Sequence, residues 1–364
     1  MTARRLLAAS LVLAAATSAF AQTKTDPTDK FRQLEEILPT PNEQRGPSGA
    51  PGRAYWQQRA DYDMDVELDD VKQRIVGKET VTYFNQSPDT LTYLWLQLDQ
   101  NLFKKDSDSN LTQTAPALDK PSYAALDPFV NRDFDGGYQI ASVTDAAGKA
   151  LPHTINKTMM RIDLPTPLAP GKSVVFGVSW SYNINDARRM GGRSGMEFFP
   201  KDGNYIYEIA QFFPRMAAYN DVSGWQHKQF LGSGEFTLEF GNYKVRITAP
   251  NDHVVGASGV LQNPKDVLTA TQMARLEMAK TAKKPVLIVT PDEAKAAEAG
   301  KPTGKKTWIF HADNVRDFRF ASSHQFIWDA QGYNVENNPV MAMSYYPKEG
   351  NPSGAALRPR SSTR

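Results

Sequence analysis

The sequence contains no cysteine among its 364 residues. This excludes disulfide bonds, a cysteine nucleophile, thiolate-bound zinc and iron–sulfur clusters. A protein without disulfides depends on its hydrophobic core for stability, even if it is exported. The chain has the apolar residues for such a core, because 40% of it is hydrophobic and 23% is charged, which is an ordinary globular composition.

The sequence also lacks a large excess of positive charge. Its formal net charge is +2, from 42 basic and 40 acidic residues. Five of the arginines lie at the two ends: Arg4, Arg5, Arg358, Arg360 and Arg364. The body between them therefore carries 37 basic and 40 acidic residues. A slightly acidic body of this kind excludes electrostatic binding of nucleic acid as the main function.

The first residues have the three parts of a secretory signal peptide. Arg4-Arg5 is a positive start, Leu6–Ala16 is apolar, and Ala19-Phe20-Ala21 is a small-x-small cleavage site. We predict cleavage after Ala21 and export to the periplasm or the extracellular space. The alternative is an uncleaved membrane anchor. No later segment reaches membrane-spanning length without charges, so we expect no integral membrane span.

Composition divides the rest of the chain into three parts. Residues 22–58 are polar and rich in proline, glycine and glutamine, which predicts an N-terminal arm. Residues 59–350 carry the regular apolar patterns of a folded domain. Residues 351–364 contain few large apolar side chains and three arginines, which predicts a disordered tail. The composition of this tail suggests a truncation or frameshift product.

Strict alternation of apolar and polar residues is the main pattern of the domain. In residues 61–68 the apolar side chains occupy every second position, and residues 174–182 repeat this arrangement. Residues 236–247 read as a hairpin that turns at Gly241-Asn242. Many short strands at close spacing predict a mainly β fold, either an antiparallel sandwich or a large curved antiparallel sheet.

Two short helices are predicted to interrupt the strands. The first begins at Asn263-Pro264 and continues through residues 268–276 at helical spacing. The second begins at Thr290, where Glu293 completes a capping box, and ends at Gly300.

Motifs for catalysis are absent from the sequence. Its five histidines form no H-E-x-x-H motif or other compact ligand spacing. A zinc site built from them would need residues that are far apart in the chain. There is no G-x-S-x-G elbow, P-loop or dinucleotide fingerprint. We therefore predict no catalytic residue and no metal ligand in this chain.

Several segments nevertheless follow one another in a recognisable order. A tyrosine-led strand opens residues 62–103, which end in Asn101-Leu102-Phe103. Ala210–Met216 reads Ala-Gln-Phe-Phe-Pro-Arg-Met, and Asn314–Phe318 reads Asn-Val-Arg-Asp-Phe. Together these segments resemble the N-terminal β domain of the aminopeptidase N family of zinc metallopeptidases. The resemblance covers roughly residues 60–350.

The resemblance implies a large saddle-shaped β domain and a place in an exported bacterial peptidase. The family removes N-terminal residues from peptides, using zinc held by an H-E-x-x-H helix in the following domain. That motif is not in this sequence. We therefore expect no cofactor in this chain, zinc only in the full-length family, and no peptide hydrolysis by the chain alone. The expected partners are the N-terminus of a peptide and a missing catalytic domain.

The resemblance also implies which residues contact substrate. A glutamine or glutamate of the motif around Gln211 binds the free amino group of the peptide in this family. Gln211 is the first candidate here and Glu208 the second. The acidic position of the family motif is occupied by Phe213 in this sequence. The alternative for Gln211 is that its side chain only bonds backbone, as polar residues at sheet edges commonly do.

Two other functions stay open at this point. The chain is a stand-alone exported β-sandwich module that binds ligands without catalysis, or it is a subunit that docks to a separately encoded peptidase half.

Overall fold

A computed structural model describes residues 41–112, 122, 134–234, 237–300 and 303–350. The predicted signal peptide, residues 1–21, and the predicted tail, residues 351–364, lie outside the described residues. The described part of the predicted N-terminal arm begins at Pro41.

The described residues belong to two compact units. The smaller unit contains residues 41–56 and 219–224. In it, the Arg45 guanidinium donates to both carboxylate oxygens of Asp221, over 2.6 and 2.9 Å. The Trp56 ring stacks on the Tyr219 ring at 5.7 Å between centroids. The larger unit contains the other described residues, and it carries the candidate site residues considered below.

The largest sheet has seven strands, and it forms where the sequence alternates most strictly. Residues 59–69 alternate between buried and half-buried or exposed positions, with Met64 and Leu68 fully buried. In spatial order the strands are β15 (Val260–Leu261), β17 (Lys305–Val315), β13 (Gly241–Pro250), β1 (Arg59–Asp69), β2 (Arg74–Phe84), β7 (Ser173–Asn183) and β4 (Gln139–Asp145).

Three smaller sheets complete the larger unit. One has the order β10 (Arg215–Met216), β3 (Leu91–Gln97), β6 (Met159–Leu168), β5 (His153–Asn156). The next has the order β14 (Val254–Ala257), β18 (Phe320–Ser323), β9 (Asn204–Ile209), β8 (Gly195–Phe199). The third has the order β16 (Val286–Val289), β19 (Ile327–Val335), β20 (Asn338–Tyr346). Two short strands remain: β11 (Tyr219–Asn220) and β12 (Gly224–Trp225).

The sheets confirm the predicted mainly β fold, and nearly all of their strand pairs are antiparallel. The exception is β1 with β13, which run parallel with Tyr62 opposite Tyr243. The buried side of the large sheet is aromatic and aliphatic, with Tyr62, Phe176 and Trp180 each at most 5% exposed. These aromatic side chains therefore belong to the core.

The predicted hairpin at Gly241-Asn242 is wrong. Gly241 begins β13, whose neighbours are β1 and β17. A Cβ atom at Gly241 would lie 1.6 Å from the carbonyl oxygen of Ala60. The glycine is thus needed for the close approach of β1 and not for a turn.

The α-helices are short: α1 (Asp108–Leu111), α2 (Ala187–Met190), α3 (Pro264–Val267), α4 (Ala270–Ala279) and α5 (Pro291–Ala299). Two 3-10 turns span Asp99–Phe103 and Lys348–Gly350. None of the helices formed by the described residues has the length and apolar content that crossing a bilayer requires.

One of the two predicted helices is confirmed and the other is divided. α5 has the expected capping box of Thr290 and Glu293. The helix predicted from Asn263 is interrupted at Leu268, whose backbone is extended. Thr269 and Gln272 form a second capping box there, which starts α4 as a separate helix.

Candidate functional site

The two candidate substrate residues lie on and just after β9. Glu208 is exposed, in the middle of its sheet, opposite Ala321 of β18 and Gly195 of β8. Gln211 follows two residues after the strand ends at Ile209, and it is only 7% exposed. The local sequence therefore presents one candidate on an open face and buries the other.

The backbone of Gln211 has an unusual conformation. Its φ is +53°, a left-handed value that few residues other than glycine adopt. Its carbonyl oxygen accepts a hydrogen bond from Gln100 Nε2 over 3.0 Å and another from the hydroxyl of Tyr138 over 2.9 Å. Both donors are buried. These two bonds hold the chain in a conformation that costs free energy, and such conformations concentrate at functional sites.

The side-chain amide of Gln211 is not satisfied in the same way. Its Nε2 atom is buried and has no hydrogen-bond partner among the described residues. Nε2 therefore makes no bond to backbone there, whereas the alternative that the side chain only bonds backbone can also be met through Oε1. A buried polar atom without a partner is destabilising, by about 1–3 kcal/mol, a cost that a water molecule or a bound ligand offsets.

Two phenylalanines anchor the segment that follows Gln211. Phe212 and Phe213 are completely buried. The indole of Trp180 donates to the carbonyl oxygen of Phe212 over 2.9 Å, and the Phe213 ring packs edge-on against Tyr62 at 5.4 Å. Phe213, which the resemblance aligns with an acidic position, is part of the core.

Arg215 completes the motif as a buried cation. It is 1% exposed and donates through Nε and Nη2 to one oxygen of Asp99, over 3.0 and 2.8 Å. Its Nη1 donates to Asp317 over 2.7 Å, and that carboxylate is partly exposed. Burial opposes the charge of Arg215, but the two carboxylates outweigh it and raise the pKa of the guanidinium. The motif around Gln211 is thereby fastened to the segment that carries Asp317.

A second buried carboxyl lies on the inner face of the large sheet. Glu79 is 3% exposed and sits opposite Met64 of β1 and Val178 of β7. Neither of its carboxyl oxygens has a hydrogen-bond partner among the described residues. Burial raises the pKa of Glu79 well above its ordinary value, because the charged form loses its hydration.

A small cavity of about 170 Å³ opens elsewhere in the larger unit. Gln97, Thr158, Gln229 and Phe230 are among the residues that line it, and Gln211 is not. Gln229 Oε1 accepts from both the backbone and the hydroxyl of Thr158. The cavity is smaller than a typical site for a drug-sized ligand, and it does not coincide with the candidate residues.

The structure brings together three potential metal ligands that sequence reasoning missed. Ligand atoms of Asp252, His253 and His324 lie within 4.8 Å of one another. Asp252 and His324 are 72 residues apart, so no short sequence motif contains both of them. Burial lowers the pKa of His253 to about 4, so its imidazole is neutral at pH 7.

The family's catalytic zinc does not fit this chain. That site needs two histidines one helical turn apart and a glutamate beside them, and the sequence contains no such motif. His153 and His227 each contact a backbone carbonyl oxygen two residues away, and His311 lies on β17.

Comparison with known proteins gives similarity in structure only. No protein-family model matches the chain, and no curated protein matches it by sequence. Among solved structures, it is similar to an M1 zinc metallopeptidase from Deinococcus radiodurans, with 12% identity and a TM-score of 0.45. That match covers 85% of this chain and 52% of the other.

A mutant form of the same kind of protein gives a matching result. The M1 zinc metallopeptidase mutant from Deinococcus radiodurans bound to a Tyr-Ser-Ala substrate is 13% identical, with a TM-score of 0.45. The match covers 84% of this chain and 51% of the other. The chain thus spans about half the length of the solved proteins to which it is similar.

Proposed function

We propose that this chain is the N-terminal β domain of an exported aminopeptidase-like zinc metallopeptidase, and that it forms one wall of the substrate site. The order of the motifs over residues 60–350 supports the assignment. In this proposal residues 1–21 are the cleaved signal peptide, residues 22–58 the arm, and residues 59–350 the β domain. The zinc-binding residues are not part of this sequence, so the domain contributes to binding and not to bond cleavage.

The arrangement of Gln211 carries the proposal. Its backbone is fixed in a left-handed conformation by Gln100 and Tyr138, and its buried amide nitrogen is left without a partner among the described residues. The unpartnered Nε2 is a donor, so it can bind an acceptor of a peptide such as its first carbonyl oxygen, and the role of Oε1 is taken from the family resemblance. In our proposal Oε1 accepts from the ammonium group of a peptide, a charge-assisted hydrogen bond. Glu208, exposed on β9, contributes negative charge nearby in sequence.

The test compares one short peptide in two forms, with a free and with an acetylated amino terminus. We expect the chain to bind the free form more tightly, since acetylation removes the ammonium group. The Gln211→Ala variant should bind the free form about tenfold more weakly, which corresponds to about 1.4 kcal/mol. Isothermal titration calorimetry measures both differences.

Two further variants separate binding from folding. Gln211→Glu supplies a carboxylate, a better partner for an ammonium group, and should retain or strengthen binding of the free peptide. Gln262→Ala, at an exposed glutamine bonded to the Val260 carbonyl, is the matched control and should bind like wild type. Equal binding of the two peptide forms, or of Gln211→Ala and wild type, would contradict the role of Gln211.

A further inference from the structure

A cluster of two histidines and one aspartate lies at one end of the sheet that contains β9. Asp252 and His253 occupy the turn between β13 and β14, and His324 directly follows β18. Because β14 and β18 are paired, with Val254 opposite Ser323, the two segments meet at the same end of the sheet. The side chains of Asp252 and His324 are 14% and 20% exposed, and His253 is buried.

The hydrogen bonds of His324 fix which ring nitrogen faces Asp252. Its Nε2 lies 2.6 Å from Oδ1 of Asn204, and the Asn204 amide nitrogen donates to Oε1 of Gln325. Asn204 Oδ1 is therefore an acceptor, and Nε2 of His324 carries the hydrogen that donates to it. This leaves Nδ1 to face Oδ2 of Asp252, 3.1 Å away.

Two arrangements satisfy the facing atoms: a proton on Nδ1 that donates to Asp252, or a cation between Nδ1 and Oδ2. A neutral His324 presents the lone pair of Nδ1 to a carboxylate oxygen, and these two acceptors repel each other. A metal ion placed between them satisfies both. The edge of a zinc coordination tetrahedron is about 3.3 Å for bonds of 2.0–2.1 Å, which is close to the distance found here.

His253 supplies a third ligand from the same turn. Its Nδ1 lies 2.8 Å from the hydroxyl oxygen of Ser322, which orients the ring. The centroids of the two histidine rings are 5.6 Å apart. Hydrogen bonds from outer residues to ligating histidines are the usual support of a metal site, and here Asn204 and Ser322 provide them.

We propose that Asp252, His253 and His324 form a binding site for one divalent transition-metal ion. Two imidazoles and one carboxylate suit zinc, nickel or copper and do not suit magnesium or calcium, which prefer oxygen ligands. The ion fastens the turn after β13 to the segment after β18. Three protein ligands leave a fourth position for water. The site does not depend on the function proposed above.

The experiment titrates Zn²⁺ into the whole chain after treatment with a chelator. We expect one ion bound per chain and a rise in the melting temperature on binding, because the ion binds the folded state. Asp252→Asn keeps the shape of the side chain and removes its charge, and it should weaken binding by at least about tenfold. His324→Gln should weaken binding at least as much.

A histidine outside the cluster provides the control. His311→Ala removes a histidine from β17 and should leave zinc binding unchanged. Bound Co²⁺ gives a second measurement, since four-coordinate sites absorb visible light strongly, and both Asp252→Asn and His324→Gln should lose this absorption. Each variant is compared with wild type by circular dichroism without metal.

Two results would overturn the site. One is the absence of stoichiometric Zn²⁺ binding by the wild-type chain at micromolar concentrations. The other is binding that both Asp252→Asn and His324→Gln retain, because the ion would then be held elsewhere on the surface.

Discussion

Glu79 places a carboxyl group in an apolar part of the core. Its neighbours across the strands are Met64 and Val178, and its oxygens lack hydrogen-bond partners among the described residues. Burying an unpaired charge is far more costly than burying a neutral carboxyl. The protonated form is therefore favoured in the folded state, which agrees with the raised pKa of Glu79.

The raised pKa makes stability depend on pH in a defined direction. The contribution of Glu79 is fully present below its unfolded pKa, near 4.5, and is lost as the pH rises through the higher folded pKa. Glu79→Gln, which is neutral at every pH, should remove this loss. We expect the variant to exceed wild type in free energy of unfolding at pH 8, and the difference to shrink towards pH 4, as measured by urea denaturation.

Glu67→Gln is the matched control for this prediction. Glu67 lies on the neighbouring strand β1 with an exposed side chain that accepts from Lys305. Removing an exposed ion pair should change the free energy of unfolding by less than about 1 kcal/mol at either pH. A Glu79→Gln variant with the same pH dependence as wild type would show that this carboxyl does not titrate as described.

At the scale of elements, the parallel pair of β1 and β13 depends on one glycine. The Cβ atom of an alanine at position 241 would lie 1.6 Å from the Ala60 carbonyl oxygen, so the strands have to separate there. We expect Gly241→Ala to destabilise the protein by about 3 kcal/mol or more. The measurement is the free energy of unfolding in urea.

Gly46→Ala provides the comparison for this glycine. The nearest atom to its added Cβ is 3.9 Å away, and its effect should stay within about 0.5 kcal/mol. If both alanine variants unfold like wild type, β1 and β13 do not approach as closely as the structure shows.

The elements also show which features of the fold can be predicted from the sequence. The alternation in residues 61–68 and the capping box of Thr290 and Glu293 depend on neighbours in the chain, and both features are confirmed. The pairing of Tyr62 with Tyr243 is set by packing between distant segments, and the local pattern at Gly241-Asn242 suggested a hairpin instead. Glycine is favoured in tight turns and also where two backbones approach closely, so its presence alone does not decide between a hairpin turn and a close strand contact.

At the scale of the whole molecule, the candidate sites also combine features that the local sequence indicates with features that depend on contacts between distant segments. Gln211 is a candidate because it lies in a motif of consecutive residues on which the resemblance rests, and its role stays a prediction. The buried contact of Arg215 with Asp99 was not predictable, since it joins segments 116 residues apart. The left-handed backbone of Gln211 was not predictable either, since Gln100 and Tyr138, which bond its carbonyl oxygen, lie 111 and 73 residues away. The cluster of Asp252, His253 and His324 was missed for the same reason, because its ligands come from two loops brought together by strand pairing.

The proposed function predicts that the chain binds a peptide without hydrolysing it. Hydrolysis by zinc needs an open metal position and a glutamate that activates the bound water. The family arranges these on an H-E-x-x-H helix, and this sequence has none. We expect no release of product from aminoacyl p-nitroanilides by the purified chain, with or without added Zn²⁺, at enzyme concentrations up to stoichiometric with substrate.

The proposed metal site at Asp252, His253 and His324 has a consequence for the hydrolysis assay with added Zn²⁺. Zinc bound there lacks a neighbouring glutamate base in the cluster, so its binding should raise stability without producing turnover. The His324→Gln variant therefore serves as the control for any activity that zinc induces. Zinc-dependent turnover that survives in this variant would contradict the proposed function, because it would show that this chain holds a catalytic zinc at a site without His324.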